Sequence, residues 1–322
     1  MTTDDLVGRF LDEVDAQSRL SAPRREILST LVSRLVELVA FDPDDSDLKV
    51  AATVLDELLE AANVFSPWRA HPKLTVFGSA RTAPDSALYF MARDLAAAMA
   101  QRGWITVSGA GPGIMEAAAL GAGRDNTLGV NVDLPFEQSA NPYIDAETRL
   151  VEMKYFFTRK VALTKESIAF AIFPGGLGTQ DETFELLTLL HTGKSSPAPV
   201  VLVDVAEGTY WEQWLAFLDD AVIAAGYLDE PDKVLFRVCH SNEDAVGEIE
   251  HFYANFDGFE VVGDQAKVAL HRAPTNAQLA QIAREVPEFD SYRVDHDGHL
   301  SFDFDGRRFV AVRQVIDLVN EF

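Results

Sequence analysis

The chain has 322 residues, of which 48% are hydrophobic, and a formal net charge of -24 at pH 7. Such a length can bury a sizeable core and is typical of one large domain with appendages or of two domains. The negative charge, without a long basic run, opposes general nucleic-acid binding, because phosphate backbones are met by clustered Lys and Arg. The single cysteine, Cys239, excludes an intrachain disulfide and a multi-cysteine metal site, and its apolar neighbours predict a buried strand thiol.

The N-terminal region has two features that bear on location and assembly. It lacks the basic and apolar segments of a secretory signal, and no apolar run has membrane-spanning length, so we expect a cytoplasmic protein without a membrane partner. Residues 1–72 are predicted to be a helical region, because apolar residues recur at helical spacing, as at Leu6, Phe10 and Val14. These stripes are expected to pack on the main domain or on a second subunit.

Two consecutive βα units open the main domain, which is predicted to span residues 73–256. LTVFGSA, from Leu74, has the pattern of a buried strand that ends in glycine and serine, and a helix is predicted over 85–101. WITVSGAGPGIMEAAALGAG, from Trp104, repeats this design with a glycine-rich turn. The repetition predicts an α/β fold, a doubly wound parallel sheet of modified Rossmann-like type.

The glycine turn of the second unit predicts contact with a phosphate or a ribose. Gly109, Gly111 and Gly113 do not hold the G-x-G-x-x-G spacing, so dinucleotide binding of that kind is disfavoured. Glu116 follows in the first helical turn. It either meets a ribose hydroxyl or only stabilises the helix dipole, and the sequence favours neither.

A third strand, from Thr127, leads to a long irregular segment, FEQSANPYIDAE, at residues 136–147. Long loops at the carboxyl edge of such a sheet border the ligand crevice, so we expect this segment beside the site. A helix then carries Arg159 and Lys160, whose side chains point about 100° apart. Arg159 is assigned to the cavity and Lys160 to a supporting role nearby, and the alternative is that both are solvated.

The stretch from Ala169 to Glu185, AFAIFPGGLGTQDETFE, carries the strongest chemical signal. A buried strand breaks into a turn of three glycines, and a helix is predicted from Asp181 to His191. Backbone N–H groups at the glycines, the Thr179 hydroxyl and the helix dipole together predict a phosphate cradle with Glu182 at its lip. The alternative is a turn that only packs, with Thr179 as N-cap and Glu182 as its capping-box partner.

The remaining residues complete the core and add a tail. Strands are predicted at PVVLVDV and VLFRV, and helices at YWEQWLAFLDDAVIAAGYL and NEDAVGEIEHFYANF. Residues 257–322 alternate short polar and apolar segments between acidic and glycine turns, which predicts a small α+β appendage. No spaced set of His, Asp or Glu predicts a metal site.

Four ordered blocks resemble the lonely-guy (LOG) family, formerly labelled lysine decarboxylases. They are FGSAR from Phe77, SGAGPGIMEAA from Ser108, YFFTRK from Tyr155 and PGGLGTQDE from Pro174, and they cover most of the core. Characterised members are nucleoside 5′-monophosphate phosphoribohydrolases that release cytokinin bases. In one departure, Phe156-Phe157 stands where the short members have Met-His, so the preferred base stays open.

The resemblance implies the roles of individual residues. The catalytic arginine and glutamate fall on Arg159 and Glu182. Nucleotide and phosphate contacts are expected at Gly78, Ser79, Ser108, Gly109, Gly111, Gly113, Glu116, Lys160, Pro174, Gly175, Gly176, Gly178 and Thr179. The resemblance also implies a homo-oligomer, a dimer or larger.

The function expected is hydrolysis of the N-glycosidic bond of a nucleoside 5′-monophosphate, with AMP or a cytokinin-type nucleotide as the small-molecule partner and no cofactor or metal. The alternative is a non-catalytic carrier or sensor that binds a nucleotide or a molybdopterin-type cofactor on the same fold. Lysine decarboxylation is disfavoured, because neither Lys160 nor Lys165 has the setting of a Schiff-base lysine for pyridoxal phosphate.

Overall fold

The structure is a computed structural model that describes residues 3–18, 20–133 and 140–322. It divides into two compact units, residues 1–56 and 57–322, and each is described by itself. Among the described residues no helix combines the length and apolar character needed to cross a membrane. The division of the chain into residues 1–72, 73–256 and 257–322 stays a prediction.

The first unit is helical. It contains α1 (Thr3–Ser18), α2 (Ala22–Ala40) and the beginning of α3 (Asp45–Phe65). Arg25 of α2 pairs with Asp12 and Asp15 of α1, and Val7 and Leu11 of α1 are buried. Many other apolar side chains of this unit stay exposed.

A seven-stranded parallel sheet organises the second unit, which confirms the predicted α/β fold. The strand order is β4-β3-β2-β1-β5-β6-β7, so the order reverses between β1 and β5. Ligands bind at such reversal points in open α/β sheets. The strands are β1 (Lys73–Phe77), β2 (Ile105–Ser108), β3 (Thr127–Val132), β4 (Leu150–Met153), β5 (Ala169–Ile172), β6 (Val200–Val203) and β7 (Arg237–Cys239).

Helices cover both faces of this sheet. One face packs on a cluster that includes Phe65, Phe170 and Trp211, and the other on a cluster that includes Leu95, Ile114 and Phe173. The near-continuous apolar strands follow from this burial on both faces. The helices are α4 (Ala87–Gln101), α5 (Ile114–Ala122), α6 (Phe156–Lys165), α7 (Leu177–His191), α8 (Tyr210–Phe217) and α9 (Asn242–Phe252).

The C-terminal residues form an antiparallel four-stranded sheet with its own apolar cluster, in the order β10-β11-β9-β8. Arg313 is buried and pairs with Glu248 of α9, so the last helix is fixed to the parallel-sheet core. The elements are β8 (Phe256–Val262), β9 (Gln265–Leu270), α10 (Asn276–Glu285), β10 (Arg293–Val294), β11 (Leu300–Asp303) and α11 (Phe309–Asn320).

Three local expectations need correction or limitation. Helix α7 begins at Leu177 and not at Asp181, because Gly176 is its N-cap, so Thr179 lies inside the helix and cannot be the N-cap. Strand β4 was not expected, and the helix predicted through Leu228 ends as α8 at Phe217, followed by a π-helical turn. Residues 136–139 of the long irregular segment lie outside the described residues.

Cys239 confirms the expectation of a buried strand thiol. It lies at the end of β7 and is buried. Burial raises the pKa of its thiol to about 12, so the thiolate that a nucleophile needs is not accessible near neutral pH.

Candidate active site

A cleft of about 580 Å³ opens at the carboxyl ends of β1, β2 and β3 and at the turn that precedes α7. The strand order of the sheet reverses at this point. This is the position expected for a ligand site in a doubly wound sheet. Both charged residues assigned to catalysis lie in its wall. The lining residues are Gly78, Ser79, Ala80, Arg81, Gly109, Gly111, Met115, Asn131, Val132, Phe156, Arg159, Gly176, Leu177, Gly178, Thr179 and Glu182.

The turn between β5 and α7 presents a helix N-terminus to the cleft. Gly176 and Gly178 are exposed, and a Cβ at either position would meet no atom within 4 Å. Thr179 is buried beside them. Since the first backbone N–H groups of a helix lack intrahelical partners, this end of α7 is built to receive an anion.

Tyr210, the first residue of α8, stabilises this turn on the side away from the cleft. Its hydroxyl donates a hydrogen bond of 2.7 Å to the carbonyl oxygen of Gly175, and Gln180 Nε2 donates to the Tyr210 oxygen at 2.7 Å. Gly175 itself faces protein, because a Cβ there would lie 2.1 Å from Thr179 Oγ1. The turn is therefore fixed on the side away from the cleft.

Glu182 lies in the second turn of α7 with 15% of its side chain exposed. Burial raises the pKa of its carboxyl to about 7, although the nearby Arg159 guanidinium acts in the opposite direction. Half of the carboxyl groups are then ionised near neutral pH. A carboxyl that changes charge near the working pH in a cleft is the property of a catalytic acid or base.

Arg159 reaches the same wall from α6. Its Nε donates a hydrogen bond of 3.0 Å to the carbonyl oxygen of Val130, and its Nη1 lies 3.9 Å from Glu182 Oε1. The guanidinium passes over Gly109, where a Cβ would lie 2.0 Å from Arg159 Nη2. Gly109 therefore makes room for the arginine, a role that its sequence setting did not indicate.

Several predicted site residues lie outside the cleft lining. Ser108 is fully buried and accepts a hydrogen bond from Ala110 N–H. Lys160 does not line the cleft and pairs with Asp181 at 2.8 Å and Glu185 at 3.0 Å. The others that do not line the cleft are Gly113, Glu116, Pro174 and Gly175.

The backbone at Gly113 requires a glycine. Its φ is +68°, and a Cβ would lie 2.3 Å from the carbonyl oxygen of Ser79, which accepts a hydrogen bond from Ile114 N–H. The glycine thus lets α5 begin against the loop that follows β1. Glu116 is half-buried in the first turn of α5, where its charge faces the helix dipole.

Some lining residues were not expected from the sequence. Apolar groups dominate this set, and apolar residues in a strand or helix give no sequence signal that separates a cleft wall from a core. Asn131, near the end of β3, also lines the cleft. The unexpected residues are Ala80, Arg81, Met115, Val132, Phe156 and Leu177.

Comparison with known proteins gives one family match. The family model described as "Possible lysine decarboxylase" matches residues 112–249, which include Arg159 and Glu182. The match covers 138 of the 322 residues. That segment holds α5 through most of α9, while Gly78 and Gly109 of the cleft lie before it.

Two relatives carry the name cytokinin riboside 5′-monophosphate phosphoribohydrolase. The protein of Mycobacterium tuberculosis is 31% identical over 118 residues, which are 35% of this chain and 61% of that protein. The protein of Rhodococcoides fascians is 31% identical over 91 residues, which are 28% of this chain and 44% of that protein. The chain thus spans about half the length of these relatives.

A solved structure, the molybdenum cofactor binding protein of Rippkaea orientalis, is 20% identical with a TM-score of 0.41. The match covers 56% of this chain and 96% of that one. This TM-score is too low to extend any property of that protein to this chain.

The two lysines considered for a Schiff base lie away from the cleft lining. Lys160 is held by two carboxylates, and Lys165 is exposed and pairs with Glu166. Neither is among the residues that line the cleft. The wording of the family description is therefore not matched by the lysine positions.

Proposed function

We propose that this chain hydrolyses the N-glycosidic bond of a nucleoside 5′-monophosphate to free base and ribose 5-phosphate. The observation that carries the proposal is the largely buried Glu182, whose pKa is about 7. It lies 3.9 Å from Arg159 and one helical turn beyond an open helix N-terminus. The names of the two relatives support the same reaction. AMP and cytokinin-type nucleotides are the first candidates for the substrate.

The phosphate end of the substrate is assigned to the first turn of α7. Gly176 and Gly178 are open to the cleft, so phosphate oxygens can approach the backbone N–H groups closely. Because the phosphate is remote from the bond that breaks, its binding free energy can hold the sugar in the reactive position. Nucleosides without the phosphate should therefore react poorly.

The sugar end is assigned to Glu182. In the reaction the C1′–N bond breaks and its electron pair leaves with the base, so positive charge develops on the ribose. A water oxygen forms the new bond to C1′, and a proton from water ends on the base nitrogen. The ionised Glu182 stabilises the cation and accepts the water proton before the base receives it.

Arg159 is assigned to the reacting end of the nucleotide. It lies beside Glu182 and is held by the Val130 carbonyl oxygen at 3.0 Å. Its charge opposes the effect of burial on the Glu182 pKa and so raises the ionised fraction of Glu182. The same charge can stabilise the leaving base.

Base release from a panel of nucleotides tests the proposal. The panel contains AMP, GMP, CMP, IMP and an isopentenyl-adenine nucleotide, with each nucleoside as the control for the phosphate. We expect release from at least one nucleotide and at least 100-fold less from its nucleoside, the size of effect typical of lost substrate positioning. The panel also ranks the bases.

Two outcomes would contradict the proposal. Equal release from nucleotide and nucleoside would remove the phosphate assignment. No release from any nucleotide, while AMP or a molybdopterin-type ligand still binds by calorimetry, would favour a non-catalytic carrier or sensor.

A further inference from the structure

A buried carboxylate from outside the cleft lies at the beginning of α6, the helix that carries Arg159. Glu57 of α3 is 5% exposed. Its Oε1 accepts hydrogen bonds from Lys154 N–H at 2.5 Å and from Tyr155 N–H at 3.3 Å. Its Oε2 accepts a hydrogen bond from the buried Thr158 hydroxyl.

Helix α6 does not provide this cap from its own sequence. Its N-cap is Tyr155, whose side chain makes no capping hydrogen bond. Free N–H groups at a helix N-terminus are normally satisfied by a Ser, Thr, Asp or Asn at the N-cap. Glu57, about 100 residues earlier in the chain, accepts hydrogen bonds from the N–H groups of the N-cap Tyr155 and of Lys154 before it, which is the part that a glutamate at the third helical position plays in a capping box. Its charge is favourable at the positive end of the helix dipole.

The position of Glu57 is itself fixed by packing. Ala61 and Phe65 lie one and two turns further along α3, are buried and belong to the cluster under the parallel sheet. This end of α3 is therefore anchored in the core. The hydrogen bonds of Glu57 join that anchor to the first turn of α6.

The next residue after Thr158 is Arg159, whose guanidinium must pass over Gly109 to reach Glu182. A shift of the first turn of α6 would move the arginine along this narrow path. We propose that Glu57 is a positioning residue for Arg159, so that a residue outside the family-matched segment sets the geometry of the reacting end of the cleft. This inference rests on the proposed function for its kinetic consequences.

The arrangement has a consequence for the pH dependence. Burial raises the pKa of Glu182 most, the Arg159 charge lowers it, and among the smaller effects Asp181 and Glu185 raise it while Lys160 lowers it. When Arg159 is displaced, its charge lowers the pKa of Glu182 less, so this pKa rises. The acidic limb of the profile of kcat/KM against pH, which reports groups of the free enzyme, should then move to higher pH.

The first variants are Glu57→Gln, which keeps the size of the side chain but removes its charge, and Arg159→Lys. We expect Glu57→Gln to lower kcat about 10-fold to 100-fold, as for a misplaced reacting group, with a smaller change in KM. Its acidic limb should move upward in the same direction as that of Arg159→Lys. The double variant should lose little more than Arg159→Lys alone, because both changes act through one group.

Two controls separate positioning from general destabilisation. Asp232→Asn removes another buried capping carboxylate of the same unit, which accepts a hydrogen bond from Asp229 N–H at 2.9 Å and does not line the cleft. It should leave the pH limb at the wild-type position. Thr158→Ser keeps the hydroxyl that bonds Glu57 and should retain the wild-type kcat, whereas Thr158→Val should lower it.

A spectroscopic readout keeps this inference separate from the proposed function. The Arg159 Nε–H donates to Val130 O, so its NMR signal, assigned by its loss in Arg159→Lys, reports the position of the side chain without turnover. We expect Glu57→Gln to shift or broaden this signal while Asp232→Asn leaves it unchanged. Wild-type kinetics and an unchanged signal in Glu57→Gln would overturn the inference. If the wild type released no base, the proposed function would fail, and the signal alone would decide the role of Glu57.

Discussion

The two glycine turns that border the cleft use their glycines in different ways. In the turn after β2, Gly109 and Gly113 leave space for other parts of the protein, the Arg159 guanidinium and the Ser79 carbonyl oxygen. In the turn after β5, Gly176 and Gly178 face open space in the cleft. The first turn therefore shapes the wall, and the second is available to a ligand.

This difference matters for the interpretation of glycine-rich motifs. Both turns resemble phosphate-binding loops in sequence, yet a Cβ at Gly109 or Gly113 would meet protein atoms, whereas a Cβ at Gly176 or Gly178 would enter only the open cleft. Substitutions at the first turn should change the chemistry through Arg159. Substitutions at the second should change substrate binding.

Gly109→Ala should have the largest effect of the turn variants. Its Cβ would lie 2.0 Å from Arg159 Nη2, so the arginine must move, and we expect kcat/KM to fall about 100-fold. Gly111→Ala is the control, because its Cβ would meet only the flexible end of Met115, at 2.8 Å. Steady-state kinetics on the best nucleotide measures both. Equal losses in the two variants would show that Gly109 has no special relation to Arg159.

Glu182→Gln should remove a pH dependence of stability. The folded-state pKa of Glu182 is about 7, above the value of 4.5 for a free glutamate, so the folded state favours the neutral carboxyl. The wild type therefore loses stability as the pH rises from about 4.5 to 7, by at most about 3 kcal/mol at 1.36 kcal/mol for each pKa unit.

The free energy of unfolding of Glu182→Gln minus that of the wild type, both measured in urea, should therefore be larger at pH 8 than at pH 5. Glu185→Gln, one turn further on α7 and paired with Lys160, serves as the control. A difference that stays constant with pH would mean that the Glu182 carboxyl is not held in a desolvated position.

Gly178→Ala should have the smallest effect on activity, and it should lower activity while it raises stability. Its Cβ meets no protein atom, so we expect the free energy of unfolding to rise by about 0.4–1 kcal/mol. The methyl group occupies space assigned to the phosphate, so KM should rise about 10-fold, the cost of one or two weakened hydrogen bonds.

Gly247→Ala on α9 is the matched control for that variant. Gly247 also lies in a helix, and a Cβ there meets nothing within 4 Å. It should give the same gain in stability with an unchanged KM. An unchanged KM in Gly178→Ala as well would place the phosphate elsewhere.

The parallel sheet could be predicted from sequence because each βα unit carries its own local signals. Buried strands such as Ala169–Ile172 are uniformly apolar, and glycine turns mark where they end. Strand β4, LVEM, escaped prediction because its exposed Glu152 interrupts the apolar run that marks the other strands. The beginning of α7 was placed too late because Gly178 and Thr179 are weak helix formers, although Gly176 is the cap.

The site could be predicted only in part, because its geometry depends on contacts between separate elements. The pattern around Glu182 indicates a carboxylate near a phosphate cradle, but the 3.9 Å approach of Arg159 joins two different helices. The role of Gly109 depends on the path of that arginine, and the cap from Glu57 joins residues far apart in the chain. The spacing of residues within one segment cannot predict contacts between residues on separate elements.

The central claim is that Glu182 performs the chemistry at a site where the phosphate binds. The most direct test is base release from the best nucleotide by wild type, Glu182→Gln and Glu185→Gln, with substrate affinity measured alongside. We expect Glu182→Gln to lose about 1,000-fold or more in kcat while still binding the nucleotide, and Glu185→Gln to retain near wild-type kcat. Full base release by Glu182→Gln would contradict the claim.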